Sequence, residues 1–276
     1  MAKETPARGE TCGQSWCPPV PPALSRASNS RNAERFVFHS VNKLKNKETS
    51  LMTKMIAHRG FSGKYPGNTA LAFRMAAEHG SAGAETDIRR TKDGVYVTSH
   101  DAEVRFADGE ALTVAEHTFA DLTAKPLLNR KTDDEVYLCT FREYLEIMRE
   151  HGMVCFVELK GAYTDDWIRE VFALAAEVYD LKRCILQSFD FDNLLKCRAM
   201  FPQLPLMFTY GTGESGWERC FDHGISIDAD QVVLTDEMLR AFHEHGLDVG
   251  VWTVNEADRV EHFKKIGVDW IESDLY

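Results

Sequence analysis

The sequence predicts an α/β protein, and two observations lead to that prediction. From residue 55 onward, short apolar runs alternate with amphipathic helical segments, which is typical of stacked βα units around a parallel sheet. Eight such runs occur, and eight parallel strands close into a TIM (β/α)8 barrel. The strands are expected at Met55–Arg59, Ala84–Arg89, Val154–Lys160, Cys184–Phe189, Pro205–Tyr210, Ser226–Asp230, Asp248–Val254 and Asp269–Asp274.

Helical segments occupy the intervals between many of these strands. Their apolar residues recur at the three- and four-residue spacing of one helix face. Thr140 and Glu143 form a capping-box pair, which marks the start of one of them. The helices are expected at Thr69–His79, Phe141–His151, Trp167–Tyr179, Asp236–His245 and Glu256–Ile266.

A small insertion follows the second predicted strand. Asp93-Gly94 is a favoured two-residue turn of a β-hairpin, so Val95–His100 is predicted to return along that strand without joining the barrel. This return brings His100 back to the level of the carboxylates on the second strand. Residues 101–138 are expected to form an excursion over the carboxyl-terminal face, where the active sites of this fold lie.

The first 51 residues differ in composition from the rest of the chain. Residues 1–30 are rich in proline and small polar residues, and they cannot bury enough apolar surface to offset the entropy lost on ordering. Residues 1–51 are therefore predicted to be a disordered extension, or to precede a true start at Met52. Residues 52–276 are predicted to form the barrel domain, and a short basic helix is expected within residues 31–50.

Composition excludes several classes of function. A net charge of −11 disfavours nucleic-acid binding, which needs a basic surface. No apolar run is long enough to span a membrane, and the first 51 residues lack the apolar core of a secretory signal. Seven cysteines without metal-ligand spacing indicate a reducing compartment, so a cytoplasmic location is predicted. The oligomeric state stays open.

The ten histidines fall into groups by their position. Four of them precede a glycine after a helical run, which is typical of a helix C-terminus, and they are His79, His151, His223 and His245. His58 and His100 instead end predicted strands. Two strand-end histidines beside paired carboxylates indicate catalysis.

Paired charges define a candidate cation site. Glu85 and Asp87 lie on the same face of a strand because side chains alternate with period two. If they face the barrel interior, two such charges are costly unless a cation holds them. Glu158 completes an all-oxygen site suited to Mg²⁺ or Ca²⁺, and Lys160 and Arg59 offer positive charge to a phosphate. Each motif alone is equally consistent with a solvated strand edge, but together they indicate a site.

These motifs occur in the order seen in one known family. They are His58-Arg59-Gly60, Pro66-Gly67-Asn68-Thr69, Glu85-Thr86-Asp87, Asp93-Gly94, His100-Asp101, Glu158-Leu159-Lys160 and Trp252-Thr253-Val254-Asn255. From about Met55 to Asp274 the chain resembles the glycerophosphodiester phosphodiesterases. Single motifs of this set are weak signals, whereas the ordered set is specific.

The resemblance implies a TIM barrel that cleaves deacylated phospholipid head groups into glycerol 3-phosphate and an alcohol. It implies that Glu85, Asp87 and Glu158 bind the divalent cation. It further implies that His58 and His100 are the acid–base pair. The nucleophile, water or a neighbouring substrate hydroxyl, stays open.

The resemblance also implies three substrate contacts. Arg59 and Lys160 are expected to hold the phosphate, and Trp252 is expected to pack against the glycerol moiety. The partner is then a small glycerophosphodiester, with no stable membrane association.

The chain departs from the family pattern in two places. Gly67 stands where the family usually has glutamate, so one carboxylate near the site is missing. The sequence ends at Tyr276, where the family commonly continues into a closing helix. We expect either a less covered barrel edge or coverage by residues 31–47.

Two other functions remain as alternatives. One is a lysophospholipase D or sphingomyelinase D-like phosphodiesterase that acts on lipids. The other is a catalytically silent barrel used for binding, and such a barrel is expected to lack one of the five catalytic or metal-binding residues.

Overall fold

Eight parallel strands close into a barrel in the computed structural model, which describes residues 52–276. The strands in chain order are β1 (Lys54–Ala57), β2 (Gly83–Arg90), β3 (Tyr96–Thr98), β4 (Glu103–Arg105), β5 (Ala111–Thr113), β6 (Val154–Leu159), β7 (Cys184–Ser188), β8 (Leu206–Tyr210), β9 (Ser226–Asp230), β10 (Val249–Trp252) and β11 (Trp270–Ser273). The barrel order is β1, β2 and then β6 to β11, and it closes because β1 pairs with both β2 and β11. The predicted fold class is therefore confirmed.

Helices lie between the barrel strands. In chain order they are α1 (Ala70–Glu78), α2 (Phe119–Leu122), α3 (Phe141–His151), α4 (Asp165–Val178), α5 (Phe191–Met200), α6 (Arg219–His223), α7 (Asp236–Glu244) and α8 (Ala257–Ile266). Threonine side chains cap the first turns of α1, α3, α4 and α7. The five predicted helices are present, with ends shifted by one or two residues at most. The four glycine-preceding histidines lie at helix C-termini, as predicted.

The barrel interior has an apolar floor near the amino-terminal ends of the strands. It consists of Ile56, Phe156, Ile185, Met207 and Trp270. Interior positions further along the strands are polar, and helices cover the outer face of the barrel through a larger apolar cluster. The polar groups therefore lie toward the carboxyl-terminal end, where this fold places its active sites.

The predicted hairpin return is present but shorter than expected. β3 runs antiparallel to the end of β2. The last paired residues of this ladder are Ile88 and Thr98, so the strand ends two residues before His100. The following excursion contains the β4–β5 hairpin and α2, which pack around a small apolar cluster of their own. Lys131 of this excursion donates a hydrogen bond to the carbonyl oxygen of Ser62 in the loop after β1, so the insertion contacts the site-bearing end.

Some predictions fall on residues that the structure does not describe. Four predictions lie in that part of the chain or depend on it. They are the extension over residues 1–51, the start at Met52 as its boundary, the helix within 31–50 and the covering role of 31–47. Within residues 52–276, no helix is long and apolar enough to cross a bilayer.

Candidate active site

The turn after β1 places two predicted site residues. Strand β1 ends at Ala57 and not at Arg59 as predicted, because Arg59 adopts a left-handed conformation with φ +58°. Gly60 follows with φ +73°, and a Cβ there would lie 2.6 Å from the carbonyl carbon of Ala72, so only glycine fits. This turn directs the Arg59 backbone N–H to Glu85 Oε2 at 2.9 Å.

Asn68 connects the loop after β1 to strand β2. It also lies in the left-handed region, with φ +57°, which asparagine tolerates better than most residues. Its Nδ2 donates to Asp87 Oδ2 at 2.7 Å, and its Oδ1 accepts from Thr86 Oγ1 at 2.8 Å. Its backbone N–H donates to the carbonyl of Arg59 at 2.9 Å. Asn68 therefore fixes the Asp87 carboxylate, a role that the sequence reading did not assign.

The three predicted cation ligands come together at the end of the barrel. Glu85, Asp87 and Glu158 each offer a carboxylate oxygen, and these oxygens lie within 4.8 Å of one another. All three residues are buried, with exposed fractions of 2%, 1% and 8%. Glu85 Oε1 is buried without a hydrogen-bond partner, which is the state expected of a cation ligand. The donor set therefore fits a hard divalent cation.

Two cationic side chains contact the same carboxylates. Lys160 Nζ lies 2.9 Å from Asp87 Oδ1 and 2.7 Å from Glu158 Oε1. Arg59 Nε lies 3.4 Å from Asp87 Oδ2, an ion pair without a formed hydrogen bond. Both predicted phosphate-binding residues thus border the carboxylate group.

Burial and neighbouring charges shift the pKa values of these carboxylates in different directions. Burial, followed by repulsion from Asp87 and other carboxylates, raises the pKa of Glu85 well above its ordinary value. Burial also raises the pKa of Glu158 despite the attraction of Lys160. Burial raises the pKa of Asp87 too, but Lys160 and Arg59 outweigh it, so that its pKa is lowered. The ionised forms of Glu85 and Glu158 are therefore disfavoured, and a bound cation would stabilise them.

His58 is oriented by a carboxylate. Its Nδ1 lies 2.7 Å from Asp274 Oδ1, and since an ionised carboxylate can only accept, Nδ1 carries the proton and Nε2 is left free. Asp274 also accepts from Ser62 Oγ at 2.7 Å and from Asn255 Nδ2 at 2.7 Å. Burial raises the pKa of Asp274, but these hydrogen bonds outweigh it and hold that pKa well below its ordinary value.

His100 lies on the rim of the barrel at the predicted level. The backbone N–H of Ser99 donates to the carbonyl of Asp87 at 2.9 Å. His100, the next residue, therefore lies close to the level of Asp87 on β2. Its own carbonyl accepts two hydrogen bonds from Arg89. The side chain is 42% exposed, and its Nδ1 pairs with Asp101 at 2.8 Å. Its hydrogen bond in the described structure is to Asp101, not to the carboxylate group.

Trp252 forms an aromatic corner with Phe189 near Lys160. The two rings meet edge to face with centroids 5.6 Å apart, and Trp252 Nε1 donates to the carbonyl of Asp228 at 3.1 Å. Lys160 Nζ lies 5.8 Å from the centre of the Phe189 ring, so this corner adjoins the charged group. Phe189 is 41% exposed and was not predicted as a site residue.

A further polar layer lies among the interior residues, and the sequence reading missed it. Gln187 Nε2 donates to Asp228 Oδ2 at 2.8 Å and to Glu272 Oε1 at 2.7 Å. Asp228 and Glu272 are 1% and 3% exposed. Burial raises the pKa of both well above the ordinary values. Glu272 and Asp274 repeat the E-x-D spacing of the second strand, a signal that was available in the sequence.

Gly67, the departure from the family motif, packs against the site. A Cβ at this position would lie 3.1 Å from Arg59 Cβ and 3.2 Å from Ser62 Cβ. These contacts are tighter than ordinary van der Waals distances, so a longer side chain requires the Arg59 turn to shift slightly.

Comparison with known proteins gives one consistent result. The model of the glycerophosphoryl diester phosphodiesterase family matches residues 58–275. A glycerophosphodiester phosphodiesterase of Caldanaerobacter subterraneus is 30% identical over 232 residues, covering 81% of this chain and 95% of that protein. Glycerophosphodiester phosphodiesterase 1 of Homo sapiens is 37% identical over 259 residues, covering 80% of this chain and 77% of that protein.

Solved structures share the fold. The phosphodiesterase of Oleispira antarctica, solved with its product sn-glycerol-3-phosphate, superposes with a TM-score of 0.72 at 22% identity. The match covers 82% of this chain and 95% of that one. At this identity the likeness concerns the barrel alone.

Proposed function

Because this chain belongs to the glycerophosphoryl diester phosphodiesterase family and is a phosphodiesterase of that class, we propose that it hydrolyses small glycerophosphodiesters in a cation-dependent reaction with histidine acid–base catalysis. The products are glycerol 3-phosphate and an alcohol. The observation that supports this most is the convergence of three buried carboxylates at the end of the barrel that bears His58.

The cation position is assigned to Glu85, Asp87 and Glu158. These residues supply only oxygen donors, which suits Mg²⁺ or Ca²⁺. When bound, the cation supplies Lewis-acid polarisation of a phosphoryl oxygen. Lys160 holds two of the three carboxylates in place through its ion pairs.

Proton transfer is assigned to His58 and His100. Both rings present Nδ1 to a carboxylate, which leaves Nε2 to take or give a proton. Asp274 orients the His58 ring through its contact with Nδ1. One imidazole removes a proton from the nucleophile, and the other protonates the leaving alkoxide.

Substrate binding is assigned to Arg59, Lys160 and Trp252. The two cationic side chains border the cation position and offer donors to phosphate oxygens. The Trp252–Phe189 corner offers an apolar surface to the carbon skeleton of glycerol.

A cytoplasmic location remains a prediction from the cysteine content. Five cysteines among the described residues are free and buried, in line with a reducing compartment. The net charge of −11 likewise supports a small-molecule substrate over nucleic acid.

The test is release of glycerol 3-phosphate from glycerophosphocholine and glycerophosphoethanolamine with Mg²⁺, with Ca²⁺ and with EDTA. We expect release with at least one cation and none with EDTA. His151→Ala, an exposed helix-end variant, serves as the control for the histidine variants and is expected to match the wild type. Cation-dependent release from a lysophospholipid but from neither water-soluble diester would contradict the proposed substrate class, and no release from a folded protein would favour the silent barrel.

A further inference from the structure

Glu272 is a buried carboxylate at the site to which the proposed reaction gives no role. It lies on β11 two residues after Trp270 of the apolar floor, so its side chain faces the barrel interior. It is 3% exposed, and its Oε1 accepts from Gln187 at 2.7 Å. The Gln187 bond occupies only one of its two carboxylate oxygens.

Glu272 forms a second ligand group with two residues already described. His58, Glu85 and Glu272 each offer one ligand atom, and these atoms lie within 4.8 Å of one another. Glu85 belongs to this group and to the Glu85–Asp87–Glu158 group. The buried, unpartnered Oε1 of Glu85 lies in the residue that the two groups share, and an unpaired carboxylate oxygen in the interior indicates a missing ligand.

The orientation of His58 is that of a metal ligand. Asp274 binds Nδ1 at 2.7 Å and leaves Nε2 available to a ligand. A carboxylate that fixes one ring nitrogen while the other binds the ion is the usual arrangement around metal-bound histidines. Asp274 is itself held by Ser62 and Asn255, so the ring has little freedom to turn away.

The interior also holds carboxylates that the first cation position does not use. Among the described residues, the buried carboxylates of the barrel are Glu85, Asp87, Glu158, Asp228 and Glu272. The ion pairs of Arg59 and Lys160 reach Asp87 and Glu158. Within the part of the chain that the structure describes, Glu272 has no ion pair with a lysine or arginine, although it lies beside His58 and Glu85.

We propose that this chain binds a second divalent cation through His58 Nε2, Glu85 and Glu272, with Glu85 shared between the two positions. One imidazole and two carboxylates suit a borderline ion such as Mn²⁺ or Zn²⁺, whereas the all-oxygen position suits Mg²⁺ or Ca²⁺. In two-metal phosphodiester sites the ions lie about 3.5–4 Å apart.

Occupation of the second position has a consequence for the reaction. A nitrogen that holds a cation cannot take up a proton, so the doubly loaded enzyme loses His58 as an acid–base group. This consequence rests on the proposed function, whereas the binding of the second ion does not. Turnover is therefore expected to rise and then fall as the Mn²⁺ concentration increases.

The test is a titration of the full-length protein with Mn²⁺, followed by electron paramagnetic resonance. Two Mn²⁺ ions that share Glu85 give an exchange-coupled spectrum, which isolated surface-bound ions do not. Glu272→Gln keeps the acceptor for Gln187 and is expected to give only the uncoupled six-line spectrum and to weaken the second binding event at least about tenfold. Asp228→Asn is the matched control, because Asp228 is buried beside the same glutamine but lies outside the ligand group, and it is expected to retain coupling.

The outcomes separate this inference from the proposed function. An uncoupled spectrum in the wild type at saturating Mn²⁺, or coupling that persists in Glu272→Gln, overturns the second position. A coupled spectrum that Glu272→Gln abolishes supports it, whatever the activity. If coupling appears but turnover does not fall, the second ion stands and the acid–base role of His58 is wrong.

Discussion

Replacing Asn68 with alanine is expected to lower the free energy of unfolding by about 3.5–7 kcal/mol. The change leaves Asp87 Oδ2 without its 2.7 Å donor and Thr86 Oγ1 without its 2.8 Å acceptor, both in the interior. A hydrogen bond to a charged group contributes about 1.5–3 kcal/mol, and an unsatisfied buried polar group costs about 1–3 kcal/mol. Alanine at φ +57° adds about 1 kcal/mol.

The assay is equilibrium unfolding in urea, followed by tryptophan fluorescence in EDTA. Asn68→Gly is the matched control, because glycine loses the same two hydrogen bonds but accepts the left-handed backbone without strain. We expect it to be about 1 kcal/mol less destabilised than Asn68→Ala. A loss below about 1 kcal/mol in the alanine variant would refute the assignment of Asn68 as the group that satisfies Asp87.

The remaining predictions concern the chemistry of the site. His58→Ala and His100→Ala should each lower turnover by about 10² or more, measured as glycerol 3-phosphate release, and a near-normal rate would remove that histidine from the mechanism. Asp274→Asn should lower turnover and alter the pH–rate profile with little change in KM, since Asp274 acts on His58 and not on substrate; an unchanged profile would contradict this. Glu158→Gln should raise the Mg²⁺ concentration needed for half-maximal rate more than it lowers the midpoint of unfolding, and an unchanged Mg²⁺ titration would count against the ligand role. Glu85 and Glu158 have folded pKa values raised above 4.5, so the folded state binds extra protons. In EDTA the contribution of these two groups to stability should therefore fall as pH rises above about 4.5. Mg²⁺ should reduce that fall in thermal unfolding, and an identical pH dependence with and without the ion would contradict the proposed site.

The sequence predicts the barrel and the first cation position because both depend on local period. Alternating runs locate the strands, and a period of two puts Glu85 and Asp87 on one face. The same rule applied to residues 272 and 274 would have found Glu272 and Asp274. In the last strand this signal is weaker, because no histidine or lysine motif adjoins residues 272 and 274 in the sequence.

Other parts of the site depend on backbone conformations that have no local pattern. Arg59 and Asn68 both lie at positive φ, which is uncommon for residues other than glycine. The turn at Arg59 ends β1 early, and the conformation of Asn68 directs its side-chain amide toward Asp87. No periodicity predicts such a contact, because it joins residues 19 positions apart through a folded loop.

His100 shows a different limit of the sequence reading. The turn at Asp93-Gly94 predicts its level on the barrel, and the bond from Ser99 to Asp87 agrees. The direction of the imidazole depends on the residues after the strand, where pairing has ended. Its catalytic role therefore stays a prediction to be tested by the variant.

The apolar floor beneath the carboxylates makes the barrel interior a blind-ended compartment. The five side chains of the floor close it from the amino-terminal side. Substrate, product and ions are therefore expected to enter and leave through the carboxyl-terminal end of the barrel. A cation held by the buried carboxylates then lies deeper in the barrel than a substrate or product phosphate at its open end. The cation should therefore exchange only after the product has left, and glycerol 3-phosphate should slow the removal of the metal by a chelator.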